Sequence, residues 1–157
     1  MAEKTNAVRL CDTHGAVYQL FEYDSEDGAL DGVSVASKIG KPPEMVFKTL
    51  VTQGQSGQFF VFLVPVAESL NLKKAAKAVN EKFVEMIPMK DLLKITGYVK
   101  GGCSPIGMKK HFRTFIDETL ILVDEIVFSA GRIGLQLMLS VGELEKILVY
   151  ETADLLE

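Results

Sequence analysis

Cysteine and histidine are scarce in this 157-residue chain: Cys11, Cys103, His14 and His111 are all it holds. The two thiols lie far apart and match no CxxC spacing, so neither a disulfide framework nor a protein-built zinc site is expected. No run of about 18 apolar residues occurs. The first ten residues, MAEKTNAVRL, also lack the apolar stretch of a signal peptide. A membrane role is therefore not expected, and a cytoplasmic location is. Positive charge is in deficit too, with a net −4. That argues against gripping nucleic acid across most of the surface, and DNA is not an expected partner.

What is present is ordinary in amount. With 48% apolar and 24% charged residues, the chain is long enough for one domain with a real core, residues 1–157. The pattern along it alternates short helices and strands. Thr5–His14 reads as an amphipathic helix stopped by Gly15, and VYQLFEY at 17–23 as a strand. Ser25–Gly32 is acidic and small, a loop. Ser34 is expected to cap a brief helix ending at Gly40.

Val46–Gln53 and the nearly continuous apolar run Gln58–Val64, joined by GQSG, predict a hairpin whose second strand is central. Asn71 is placed to cap the helix LKKAAKAV. Phe83–Ile87 reads as a strand and Pro88–Ile95 as a helix. Arg113–Ile116, Glu125–Ser129 and Ile133–Leu139 read as strands, and Ser140 with Glu143 as a capping box for a helix through Ile147. The whole predicts an α+β fold: a mixed, mostly antiparallel, curved and barrel-like sheet with surrounding helices.

One segment carries more than packing requires. GYVKGGCSPIGMKK at 97–110 crowds Gly97, Gly101, Gly102 and Gly107 with a thiol, a hydroxyl and several lysines. Glycines let a ligand approach the main chain, and such a loop can turn several N–H groups toward one oxygen. A tight structural turn would explain one or two of them, not the cluster. Lys100, Lys109, Lys110, His111 and Arg113 surround it as a local basic rim.

FKTL at 47–50, TGYVKGGCSPIGMKK at 96–110 and SAGRIGLQ at 129–136, in that order, resemble the YbaK/EbsC family of aminoacyl-tRNA deacylases. That family is related to the editing domain of bacterial-type prolyl-tRNA synthetase. The resemblance extends over nearly the whole chain. It implies hydrolysis of the ester joining a wrong amino acid to tRNA, most often cysteine on the proline tRNA, with no metal or organic cofactor. The aminoacylated 3′ end would be the main contact, with tRNA identity left to a partner such as prolyl-tRNA synthetase.

Carried residue by residue, the resemblance makes Lys48 the family lysine and puts Thr49 and Tyr23 in the pocket. Its glycine loop falls on Gly101, Gly102, Ser104 and Pro105, with Cys103 between them as a further substrate contact. Ser129 and Gly131 begin a second pocket segment. Gln136 departs from the acidic residue often found there, which leaves the amino-acid preference open.

The chemistry expected of these residues is stabilisation of charge. Lys48 could hold a phosphate or polarise the ester carbonyl, with an edge-strand lysine that discourages aggregation as the structural alternative. Backbone N–H groups of Gly101 and Gly102 could bind the oxyanion. The attacking group would be water or the substrate's own thiol. Three other readings stay open: Cys103 as a nucleophile with His111 as its base, a deacylase for alanyl or seryl esters, and a binding module without turnover.

Overall fold

The computed structural model describes residues 4–157. Helix α1 (Asn6–Thr13) starts where expected. Thr5 Oγ1 accepts from the Val8 N–H, and its hydroxyl donates to the Ala130 carbonyl, so the cap also ties the helix to a strand. Strand β1 (Gln19–Glu22) follows. Helix α2 (Gly32–Ile39) is capped by Asp31, not by Ser34. The Asp31 carboxylate accepts from both the N–H and the hydroxyl of Ser34, because Asp31 is the residue still in extended backbone.

The hairpin is β2 (Phe47–Gly54) and β3 (Phe59–Pro65), paired in register from Phe47↔Pro65 to Gln53↔Phe59. Strand β3 is central, with antiparallel β2 on one side and parallel β5 (Arg113–Asp117) on the other. Alternation sorts its side chains. Phe60, Phe62 and Val64 pack with Ala75 and Ala76 of α3 (Leu72–Ala78) and with Val79 at its C-cap, while Val61 and Leu63 face the main core. Asn71 caps α3 by accepting from Lys73 and Lys74 N–H. Phe62 and Phe115 stack with centroids 5.7 Å apart.

Strand β4 (Val84–Met86) pairs with the far end of β2. The segment expected as one helix from Pro88 is a 3-10 turn, Met89–Asp91, running into α4 (Leu92–Thr96). Strands β6 (Glu125–Arg132) and β7 (Leu135–Ser140) form a second hairpin with β1 on its edge. Ser140 caps α5 (Val141–Leu144), but the box is half made: the Glu143 carboxylate accepts from the Val17 N–H instead of returning to its cap. A strand with no sequence signal, β8 (Glu151–Ala153), pairs parallel to β5.

Two open sheets result, β1-β7-β6 and β4-β2-β3-β5-β8, with four antiparallel and two parallel pairings. The main core lies between them, where Phe47, Val51, Leu63 and Ile116 meet Ile126, Phe128, Leu137 and Leu139. The sheets touch at one parallel bridge, Val46↔Val127, roofed by Ala36 and Ile39 of α2. The expected barrel is therefore not closed, since closure needs every edge strand paired. Among the described residues, no helix is long and apolar enough to cross a membrane.

Candidate functional site

Beyond the Val46↔Val127 bridge the two parallel strands separate, β2 toward β4 and β6 toward β7, and a cavity of about 260 Å³ occupies the fork. The edge of β2 inside the fork has no strand against it. The Val51 carbonyl accepts from Ile87 N–H at 3.2 Å on that side. By strand alternation, Thr49, two residues earlier, turns its N–H and C=O the same way, into the gap. Thr49 lines the cavity, and its hydroxyl is buried with no hydrogen-bond partner among the described residues. A buried polar atom left unpaired costs about 1–3 kcal/mol, and the Thr119 hydroxyl, outside the cavity, is in the same state.

Lys48 lines the same cavity at the open edge, on the face of β2 that carries Leu50 and not Thr49. Among the described residues no carboxylate forms an ion pair with it. Lys100, which the sequence reading left in the general rim, is the second lining cation, and among the described residues no Asp, Glu or His lines the cavity. Its polar side is completed by Ser129 and Gln136, which face each other across β6 and β7, and by Tyr23 at the end of β1. Ser129 Oγ accepts from Gly131 N–H at 3.1 Å, leaving its own O–H to donate. The remaining walls are apolar, from Val35 of α2 to Ile87 and Leu92 near α4.

The glycine cluster proves to be several devices. Gly97 caps α4 in left-handed backbone. Tyr98 is buried, and its hydroxyl donates to Ile106 C=O at 2.8 Å, drawing the loop closed. Gly102 N–H donates to Val99 C=O at 3.0 Å, so it is not free for an oxyanion. A Cβ there would stand 2.9 Å from Arg132 Cα, which makes glycine a requirement of close backbone approach to the β6–β7 turn. Gly101 and Cys103 both line the cavity, and among the described residues neither N–H has an acceptor. The donors thus straddle the position expected.

Not all of the anticipated residues meet. Tyr23, Lys48, Thr49, Gly101, Cys103, Ser129 and Gln136 share the cavity, while Gly102, Ser104, Pro105 and Gly131 stand outside it. Ser104 is fully buried, its hydroxyl within 3.4 Å of Ile106 N–H. Pro105 lines a separate cavity of about 180 Å³ on the other side of the loop, together with His111. Gly131 packs against Thr5 and Tyr98. Leu30, Gly32, Val35, Met86, Met89 and Leu92 join the cavity unannounced, because apolar residues on separate elements carry no local signal of a shared pocket.

Cys103 and His111 open onto different cavities, so the thiol has no base beside it. Burial pushes the Cys103 thiol up to about 12, with a Thr96 hydrogen bond pulling weakly the other way. At neutral pH it stays protonated and a poor nucleophile. Cys103→Ala is expected to keep kcat/KM within about twofold of the parent in an ester-hydrolysis assay, with stability lowered by about 1 kcal/mol for the lost buried sulfur. Among the described residues, no group of three His, Cys, Asp or Glu side chains comes together as a metal site requires.

Residues 28–147 match the model of the aminoacyl-tRNA editing domain. The chain is 43% identical over 138 residues to EbsC of Enterococcus faecalis, which is provisionally named a Cys-tRNA(Pro)/Cys-tRNA(Cys) deacylase; the match covers 88% of this chain and 84% of EbsC. A stretch of 75 residues is 33% identical to part of the proline–tRNA ligase of Fervidobacterium nodosum, 48% of this chain but only 13% of the ligase. A solved structure described provisionally as a trans-editing enzyme for prolyl tRNA synthetase superposes with a TM-score of 0.86 over 99% of both chains, at 23% identity. That likeness is one of fold. The matched span takes in the β2 edge, the glycine loop and the β6–β7 wall, and with it the chain belongs to the aminoacyl-tRNA editing domain family.

Proposed function

We propose that this chain deacylates mischarged tRNA in trans, with cysteine on the proline tRNA as its main substrate. One observation carries the reading: Lys48, the N–H groups of Gly101 and Cys103 and the Thr49 hydroxyl, the last three unpaired among the described residues, all belong to the lining of one cavity. Donors of this kind stabilise the negative charge that an ester carbonyl gains during hydrolysis. The cavity, at about 260 Å³, is smaller than sites for drug-sized ligands, roughly 300–1,000 Å³. It suits an aminoacyl group on a terminal ribose.

Among the described residues no carboxylate or histidine lines the cavity as a general base, which favours a nucleophile brought by water or the substrate. Water adding to the carbonyl gives a tetrahedral oxyanion, which collapses to the free amino acid and the ribose hydroxyl. With a cysteinyl ester, the substrate sulfur can add instead, forming a C–S bond as the C–O bond to ribose breaks and leaving a thiolactone. The site contributes placement and charge stabilisation in either route. Its apolar walls and absence of carboxylates favour a small uncharged side chain, which keeps alanine and serine as rivals.

A panel of Cys-, Ala- and Ser-charged tRNA with purified protein tests this. Cysteinyl-tRNA for proline is expected to be cleaved at least about tenfold faster than the other two, since only its thiol can attack from within. Faster alanyl or seryl cleavage would reassign the substrate, and no cleavage of any ester would leave a binding module. Cytoplasmic action beside prolyl-tRNA synthetase, which would select the tRNA, completes the proposal.

A further inference from the structure

The charge on the walls of the cavity is segregated. Residues 86–110 hold Lys90, Lys94, Lys100, Lys109 and Lys110 against Asp91 alone, a surplus of four positive charges in a chain whose total is −4. Residues 18–41, which supply the wall around Tyr23, Leu30 and Val35, hold Glu22, Asp24, Glu26, Asp27 and Asp31 against Lys38 and Lys41, and Lys38 is ion-paired with Asp27 at 2.7 Å. Large apolar side chains stand exposed between the lysines of the first wall: Met89 at 55%, Leu93 at 54% and Val99 at 47%. Lys94 lies 3.4 Å from Asp91, but its side chain is 75% exposed. Such a pair is worth little and exchanges readily for another anion.

We propose that the 86–110 wall is the docking surface for the RNA body next to the reacting 3′ end. Backbone phosphates lie along Lys90 and Lys94, and the unpaired bases of the 3′ segment lie over Met89, Leu93 and Val99 as the chain enters the cavity. This rests on the deacylase reading for the position of the 3′ end. The 18–41 wall, net negative even with Lys38 and Lys41, is the less favourable side for phosphate, so a protein of net negative charge still takes RNA from the 86–110 side. Lys90 and Lys94 do not line the cavity and take no part in the chemistry.

The test compares Lys90→Glu/Lys94→Glu with the parent in two assays. The first is fluorescence anisotropy with an RNA hairpin ending in a single-stranded 3′ tail, titrated at several salt concentrations. The second is hydrolysis of an aminoacyl ester of adenosine, which lacks the RNA body. The double variant is expected to bind the hairpin at least about tenfold more weakly and to flatten the log K against log salt slope by roughly 1.5–2, the share of two phosphate contacts. Ester hydrolysis is expected to stay within about twofold. Unchanged hairpin affinity, an unchanged slope, or an equal loss with the small ester would overturn the proposal. Should the parent fail to hydrolyse the ester, the deacylase reading falls, while the hairpin titration still decides the surface.

Discussion

Lys48→Ala is expected to lower kcat/KM for a cysteinyl ester by about 10²–10³-fold while leaving the fold intact. The size follows from the setting. A cation beside a developing oxyanion in a largely apolar cavity contributes as an oxyanion-hole donor does, about 2.7–4 kcal/mol of transition-state stabilisation. Among the described residues no carboxylate lines the cavity to neutralise it. The fold does not need it either: Lys48 is partly exposed and makes no ion pair among the described residues, so its removal should shift stability by no more than about 0.5 kcal/mol. Lys48→Arg should rescue only in part, because a planar guanidinium spreads its charge where an ammonium is a compact point charge. A rate within threefold of the parent, in a protein with unchanged Tm, would remove Lys48 from the chemistry.

The largest stability effect is expected at Gly107, well away from the reaction. Its φ is +77°, and an added Cβ would lie 2.7 Å from Tyr98 Oη and 2.8 Å from Ala7 N. Two costs combine. Left-handed backbone strains an L-residue by about 1–2 kcal/mol, and the Cβ must displace either the start of α1 or the hydroxyl that closes the glycine loop on Ile106. Gly107→Ala is expected to lose roughly 3 kcal/mol or more, a fall in Tm of about 6–12 °C for a chain of this size. Gly57→Ala is the control, with φ +92° but nothing within 4 Å of its Cβ. Only the backbone cost applies there. Equal losses at the two positions would show that the contact with Tyr98 and Ala7 carries no weight.

Local chemistry wrote much of the fold plainly. The Asn71 cap, the GQSG hairpin and the unbroken apolar run of β3 each rest on interactions within a few residues, and each is found where expected. Strand β8 was illegible because Glu-Thr-Ala has little strand character and forms only by docking beside β5. Likewise the role of Ser34 turned on which residue stays extended before α2. For the site, Gly101 was readable as a type that the chemistry needs, Lys48 had an edge-strand alternative until the family resemblance favoured the site, and Thr49 came from that resemblance alone. Gly102 and Gly107 were not separable from Gly101 by composition, since their reasons are Arg132 and Ala7, each at least thirty residues distant.

The fork places a constraint on how the protein comes into being. Its walls come from sequence positions as far apart as Tyr23 and Gln136, and from strands of two sheets whose backbone bridge is at Val46 and Val127. A partly folded chain holding just one sheet has half a cleft and no reaction centre. Long-range closures of this kind form late and slowly, so catalytic competence during renaturation should emerge with the final kinetic step, after most helical signal has returned.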